Sequence, residues 1–325
     1  MRICFWGTRG SLPAPLSALA VRAKVREALR AAVGLHLDSD AKLDSFLDHD
    51  LGFAAAGTFG GNTSCVQIDT GGGEFVICDM GSGFREFGNH VLRTSGPAVK
   101  HVFHVFLTHL HWDHIMGLPF FVPAYIPGNV IRVYGGHDTS TVRDALLRQQ
   151  SGPCFPVDFR QLGARFEFVQ LLPGTATEAA GLTVHTLKQR HAGDSYGFRF
   201  EGQGKTVVYS TDFEHKYEKL TDKYPAIALF RDADLVIFDA MYSLADAVSV
   251  KEDWGHSSNI SGVELCHQAG ARHLCLFHHE PSSGDVTLAR IGADTARFAE
   301  LSREEGRAPL RVSVAYDGLE LRLDD

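Results

Sequence analysis

Thr108-His109-Leu110-His111-Trp112-Asp113-His114 is the run on which the reading of this chain turns. It follows Val102-Phe103-His104-Val105-Phe106-Leu107, which has the composition of a buried strand, and leads into Ile115-Met116-Gly117-Leu118, so it marks a strand passing into a helix. Open α/β folds place their chemistry at such strand ends. His109 and His111, two residues apart, are expected to project from the same side of an extended strand, with Asp113 and His114 brought round by the first turn of the helix. Imidazole and carboxylate donors together suit zinc, manganese or iron, and two-metal sites hold their ions roughly 3.5–4 Å apart. A chance enrichment among the 17 histidines of the chain would rarely give this spacing.

A metal pair needs more donors than four, and three other strand ends offer them. His191 follows the strand-like run 182–187, Asp212 follows Val207-Val208-Tyr209-Ser210, and His278 follows His273–Phe277. Taken singly, each reads equally well as a hydrogen-bonded loop residue. Taken together, a bridging carboxylate and two more imidazoles would complete two roughly five-coordinate ions.

The rest of the chain frames this site. At 325 residues, with 44% hydrophobic and 22% charged residues, it reads as one large α/β domain over 1–325 with a sizeable core. A net charge of −8 argues against a protein that tracks along long nucleic acid by neutralising phosphates, though a small anionic substrate fits a site where bound metal supplies the positive charge. Six cysteines without a close pair read as reduced thiols in a cytoplasmic protein, and neither a signal peptide nor a membrane span is evident. Ile3–Trp6 reads as the first strand. Residues 14–58 then form a helical insertion, with Val21, Val25, Leu29 and Ala32 as the apolar stripe of one helix, a second helix near 41–51 carrying Leu43, Phe46, Leu47 and Leu51, and a row of Arg22, Arg26 and Arg30 read as solvated or partner-facing. A hairpin (66–68 with 75–78), a strand at 131–134, a helix at 138–151 and strands at 166–169, 182–187, 196–200, 207–210 and 235–238 follow. A helix at 259–269, a strand at 273–277, a closing helix at 285–304 and strands at 311–315 and 319–323 complete the expected order.

The series His109, His111, Asp113, His114, His191, Asp212, His278 resembles the metal ligands of the metallo-β-lactamase superfamily. Gly7-Thr8-Arg9-Gly10-Ser11, Gly60-Gly61-Asn62-Thr63-Ser64, Asp79-x-Gly81-Ser82-Gly83 and Phe277-His278-His279-Glu280-Pro281 resemble its branch of ribonuclease Z and the metal-dependent cyclic-nucleotide phosphodiesterases, including the anti-Pycsar type. The resemblance implies a four-layer αβ/βα sandwich with a dinuclear site at one edge and two divalent ions, zinc first, manganese or iron otherwise. His109, His111 and His191 would hold one ion, Asp113, His114 and His278 the other, and Asp212 would bridge, with His279 as an alternative to His278. His256, at a helix start in Trp254-Gly255-His256-Ser257-Ser258, matches the branch's histidine that touches the scissile phosphate and protonates the leaving oxygen. Asp239 stands where ribonuclease Z relatives carry Glu, which leaves the partner of His256 open.

These features lead us to expect hydrolysis by a metal-held hydroxide, with Asp113 orienting the nucleophile and His256 assisting the leaving group. The substrate expected is a small phosphodiester, a cyclic nucleotide first, because no long basic arm for tRNA is apparent. Carbonyl-ester hydrolysis, with Tyr196 or Tyr242 polarising the carbonyl, and a non-catalytic nucleotide sensor are the alternatives. The insertion is expected to lid the site or to build a homodimer contact.

Overall fold

The computed structural model describes residues 1–216, 224–247, 249–304, 306 and 308–323. Its strands are β1 (Arg2–Gly7), β2 (Cys65–Asp69), β3 (Phe75–Cys78), β4 (Val102–Phe106), β5 (Val130–Gly135), β6 (Arg165–Gln170), β7 (Ala176–Ala179), β8 (Leu182–Gln189), β9 (Ser195–Gly202), β10 (Lys205–Ser210), β11 (Leu235–Asp239), β12 (His273–Phe277), β13 (Arg311–Val314) and β14 (Glu320–Arg322). The helices are α1 (Ala18–Ala31), α2 (Asp40–Ser45), α3 (Phe53–Ala56), α4 (Gly83–Ser95), α5 (Trp112–Ile115), α6 (Thr139–Gln149), α7 (Pro225–Phe230), α8 (Leu244–Ala247), α9 (Asn259–Ala269) and α10 (Asp285–Leu301). The strands form two seven-stranded sheets, ordered β14-β1-β2-β3-β4-β5-β6 and β13-β12-β11-β10-β9-β8-β7. Within them β3 to β6 run parallel, as do β10 to β13. The carboxyl ends of each parallel block therefore line one edge of its sheet, where ligands gather in open α/β sheets.

Burial explains why these runs become strands. Leu235–Asp239 and His273–Phe277 are buried at every position, the pattern of parallel strands covered on both faces. Between the sheets lies an aromatic core that includes Phe5, Phe106, Tyr134, Phe198, Phe200, Tyr209 and Phe277. On the outer face of the first sheet, Phe84, Phe87, Val91, Val142 and Leu146 pack onto Phe103 and Ile131. On the outer face of the second, Ala226, Phe230, Val263, Leu265 and Ala299 pack onto Phe238 and Leu274. Helix, sheet, sheet, helix is the expected four-layer order. No described helix is long and apolar enough to cross a membrane.

Four elements, α4, α7, α8 and β7, lie outside these expectations. The start of α4 lies in Gly81-Ser82-Gly83, a composition that reads as a turn, and only the buried repeat Phe84, Phe87, Val91 marks the helix. Residues 14–58 are helical as expected, with Ser17 capping α1 and Ser39 capping α2. Their orientation differs from expectation. No residue of α1 is buried, and Val21, Val25 and Leu29 of the expected stripe are 47%, 54% and 66% exposed. The inward side carries Ala20, Lys24, Ala28 and Ala32, and Ala28 and Ala32 rest on Phe46, Leu51 and Ala55. Lys24 fixes this orientation: its Nζ donates to the carbonyls of Ala54 and Gly57 and pairs with Asp285 at 2.5 Å. In the second helix Phe46 and Leu51 are buried but Leu43 and Leu47 are 42% exposed, because Phe46–Asp50 widens into a π turn that rotates the face set by the 3.6-residue period.

Candidate metal centre and active site

The site forms where strand ends of both sheets meet. Asp79, directly after β3, Asp212, two residues past β10, and His278, directly after β12, all have positive φ (62°, 56° and 57°). The left-handed region is costly for residues other than glycine and turns the chain sharply at each strand end. β4 stops at Phe106, so His109 and His111 lie in the following loop rather than on the strand itself, and His111 immediately precedes α5. The loop still brings them together, His109 Nε2 lying 2.9 Å from His111 Nδ1, and His191 Nε2 joins at 3.1 Å from the same atom.

Asp212 stands between two groups of donors. Its Oδ1 lies 3.7 Å from His109 Nε2 and 3.6 Å from His191 Nε2, while its Oδ2 lies 3.2 Å from His114 Nε2 and 3.3 Å from His278 Nε2. Asp113 Oδ2 is 3.2 Å from both His114 Nε2 and His278 Nε2. All seven residues expected as ligands are thus gathered in one cluster, with one carboxylate facing both halves. The donors suit divalent cations. Bonds of about 2.0–2.2 Å in a tetrahedron put neighbouring ligand atoms roughly 3.3 Å apart, close to the separations seen here. The buried His114 Nε2 has no hydrogen-bond partner, as expected of a donor atom reserved for an ion. His109–His111–His191 and Asp113–His114–His278 are both groups whose donor atoms converge closely enough for one ion.

The far sides of these rings are anchored. Asp79 accepts hydrogen bonds from Thr108 N (2.8 Å) and Tyr209 Oη (2.9 Å), and its Oδ2 is 2.8 Å from His114 Nδ1. Thr108 Oγ1 meets His109 Nδ1 at 3.1 Å, and His191 Nδ1 donates to the Gly255 carbonyl at 2.9 Å. Such contacts fix the tautomer and angle of ligating histidines. In the sequence Asp79 stands in a glycine phrase, yet it carries the same signal as Asp212, an acidic residue just past an apolar strand. The loop after β1 closes the other side, where Ser11 N donates to Asp113 Oδ2 at 2.8 Å. Gly10 is sterically required there, since a Cβ would stand 2.6 Å from the His278 ring.

His256 is only 9% exposed, and its Nδ1 is 2.9 Å from Asp239 Oδ2. Asp239 is therefore the group that holds this ring. The rings of His191 and His278 flank His256 at 5.1 and 5.2 Å, which sets it against both halves of the cluster, and Ser258 rather than His256 caps α9. His279 points elsewhere: it is buried with Nε2 2.8 Å from the Ala315 carbonyl, so His278 is the residue that joins the cluster.

Electrostatics follow from this packing. Burial opposes the charged form of His256, but the Asp239 carboxylate, its hydrogen bond and Asp212 outweigh that and raise its pKa to about 9. Burial likewise opposes charge on Asp113 and Asp212, yet the surrounding imidazoles hold both below the usual carboxylate range. His109 is driven well below its ordinary value by burial and by charge on His114, whereas Asp113, Asp212 and Asp79 overcome burial to raise His114 well above it.

A hollow of about 320 Å³ bordered by Lys188, Arg190, His191, Asp253 and Gly255 opens beside the cluster. A larger one of about 580 Å³ lies near Arg231, His267 and Arg272, at the amino end of β12 and away from these groups. Two tryptophans adjoin site residues in sequence and are open to solvent, Trp112 at 75% and Trp254 at 62%.

Comparison with known proteins gives a consistent result. Residues 74–279 match the model of the beta-lactamase superfamily domain. The chain is 25% identical over 239 residues to ribonuclease Z of Geobacillus kaustophilus, covering 59% of this chain and 75% of that protein. Its fold is similar to the metallo-beta-lactamase fold protein YhfI of Bacillus subtilis, with a TM-score of 0.63 and 16% identity over 98% of both chains. It is also similar to a diphosphatase of the PhnP family, with a TM-score of 0.60 and 19% identity over 99% of this chain and 98% of that one.

Proposed function

The chain belongs to the metallo-β-lactamase superfamily, and from that premise we propose that it is a metal-dependent phosphodiester hydrolase acting on small phosphodiesters, cyclic nucleotides first, in the cytoplasm. His109, His111 and His191 would hold one divalent ion and Asp113, His114 and His278 a second, with Asp212 shared and zinc the first candidate. Bound divalent cations supply Lewis acidity toward a phosphoryl oxygen and lower the pKa of water, to about 7 in favourable cases.

His256 is the observation that carries the phosphodiester reading. Its Nδ1 is held by Asp239, so Nε2 is the ring atom left to give a proton to a departing ester oxygen, and the ring lies against both His191 and His278. Asp113, steadied by the Ser11 N–H, orients the attacking water. Trp112 and Trp254 offer open aromatic faces on which a nucleobase would stack, an interaction worth about 1–3 kcal/mol per base. The five buried cysteines and the exposed Cys154 are all free, in keeping with a reducing compartment.

Two observations support competing substrates. The ribonuclease Z relative points to RNA, and the Tyr242 ring, 5.3 Å from His256, offers a hydroxyl to a carbonyl ester. One panel decides among them: zinc- or manganese-loaded protein with 3′,5′-cyclic nucleotides, linear dinucleotides, a 3′-extended tRNA precursor and acyl lactones. We expect cyclic nucleotides to turn over fastest and His256→Ala to lower kcat on them by about 10²–10⁴-fold. Cleavage of lactones alone, or of the tRNA precursor alone, overturns the proposal.

A further inference from the structure

The three residues that follow Asp212 grip the turn that carries His256. Ser257 Oγ donates to the Phe213 carbonyl and accepts from His215 N at 3.0 Å. Glu214 stands between these two contacts in sequence and is only 5% exposed, yet it belongs to none of the donor groups that converge on an ion among the described residues. Its carboxylate is given to backbone instead. Oε1 accepts from Asp253 N at 2.9 Å and Oε2 from Gly255 N at 3.2 Å. A buried carboxylate is costly unless it is paired, and Lys216 Nζ meets Oε1 at 2.7 Å.

The turn needs such an acceptor. Asp253 and Gly255 have φ of 66° and 87°, a conformation that Asp253 adopts only at a cost. Backbone N–H groups in turns of this kind form a concavity that favours an anion, and Glu214 supplies one from within the chain. The turn in its place serves the site twice. Its Gly255 carbonyl accepts from His191 Nδ1 at 2.9 Å, and its next residue is His256. The Glu214 N–H also donates to the Arg190 carbonyl at 3.0 Å, one residue before His191. The side chain of Asp253 pairs with Arg190 at 2.6 Å, but on the surface, where ion pairs hold little.

We propose that Glu214 is a positioning residue of the hydrolytic site. By holding the 253–255 turn it sets the angle of His191 through the Gly255 carbonyl and the place of His256 through the adjoining peptide. The effect on His256 rests on the phosphodiester reading above, and the effect on His191 does not.

Glu214→Gln tests this, because it keeps the size of the side chain but sets an NH2 group against one of the two N–H donors. The first readout is metal affinity of the folded protein by competition with a chelator, expected to weaken by about 10–100-fold for one ion and to hold for the other. The second is leaving-group dependence at saturating metal. Bis(p-nitrophenyl) phosphate releases a stable aryl oxide without a proton, whereas a 3′,5′-cyclic nucleotide releases an alkoxide that needs one. The kcat on the cyclic nucleotide is expected to fall about 10-fold further than on the aryl diester. That difference is expected to vanish in a His256→Ala background, since residues acting through one another are not additive. Glu214→Asp, which keeps the charge but not the reach, is expected to act in the same direction. Asp253→Asn, which removes only the surface charge, is expected to match wild type within about twofold. A merely structural Glu214 would lower Tm and leave metal affinity and the leaving-group ratio at wild-type values. That result, or an Asp253→Asn variant that reproduces the Glu214→Gln losses, overturns the proposal. A wild type inert toward both diesters overturns the phosphodiester reading alone, and the chelator competition then decides the role of Glu214 by itself.

Discussion

Asp79 touches no expected ligand atom on its metal side, yet it holds Thr108, His114 and Tyr209 at once. Its loss should loosen His114, and His109 through Thr108, without unfolding the cluster. Asp79→Ala is predicted to weaken metal binding by about 10–100-fold, as read by competition with a chelator, and to cost more affinity than Tyr209→Phe. Asp317 makes a different statement. Its Oδ2 accepts from Gly61 N and Asn62 N and its Oδ1 from Thr8 Oγ1, but burial outweighs these donors and raises its pKa from 3.8 to about 6. The folded protein thus binds this proton more tightly than the unfolded chain. Its contribution to stability is full below pH 3.8 and is lost as pH rises through about 6. Urea unfolding of wild type and Asp317→Ala from pH 3.5 to 7 should show a difference that shifts against wild type by on the order of 3 kcal/mol. A flat difference would contradict this assignment.

At the scale of elements, the turn before α9 is the most constrained. Gly255 has φ 87°, and a Cβ on it would stand 2.3 Å from His191 Nδ1, the atom that donates to the Gly255 carbonyl. Gly255→Ala should displace His191 and spare Asp113, His114 and His278. Elemental analysis is expected to find about one metal ion per chain in the variant and about two in wild type. Elements also show what the sequence could and could not reveal. Strand ends were legible because each apolar run stops at a polar donor, so His109, His191, Asp212 and His278 were located by position and composition. The face of α1 was not legible: periodicity reports that an apolar stripe exists, and only the three-dimensional pairing of Lys24 with Asp285 decides that it points outward. The role of Asp239 likewise follows only from its contact with His256.

For the whole molecule, the candidate centre joins both sheets, since His109, His111, Asp113 and His114 follow β4 of the first while His191, Asp212 and His278 follow strands of the second. An ion bound only by the folded arrangement at 100 times its Kd stabilises it by about 2.7 kcal/mol. Stripping metal with a chelator is predicted to lower Tm by several degrees, and zinc to restore it in a concentration-dependent way, whereas a chelator-insensitive Tm would argue that the sheets close without help. The same arrangement sets a schedule for biosynthesis. Its donors are spread from residue 109 to residue 278, so a chain emerging from the ribosome carries one incomplete cluster of histidines long before β12 appears. Capture of an ion by the full donor set would wait until β12 has emerged, and a product terminated before it would circulate as a weak chelator without a complete centre.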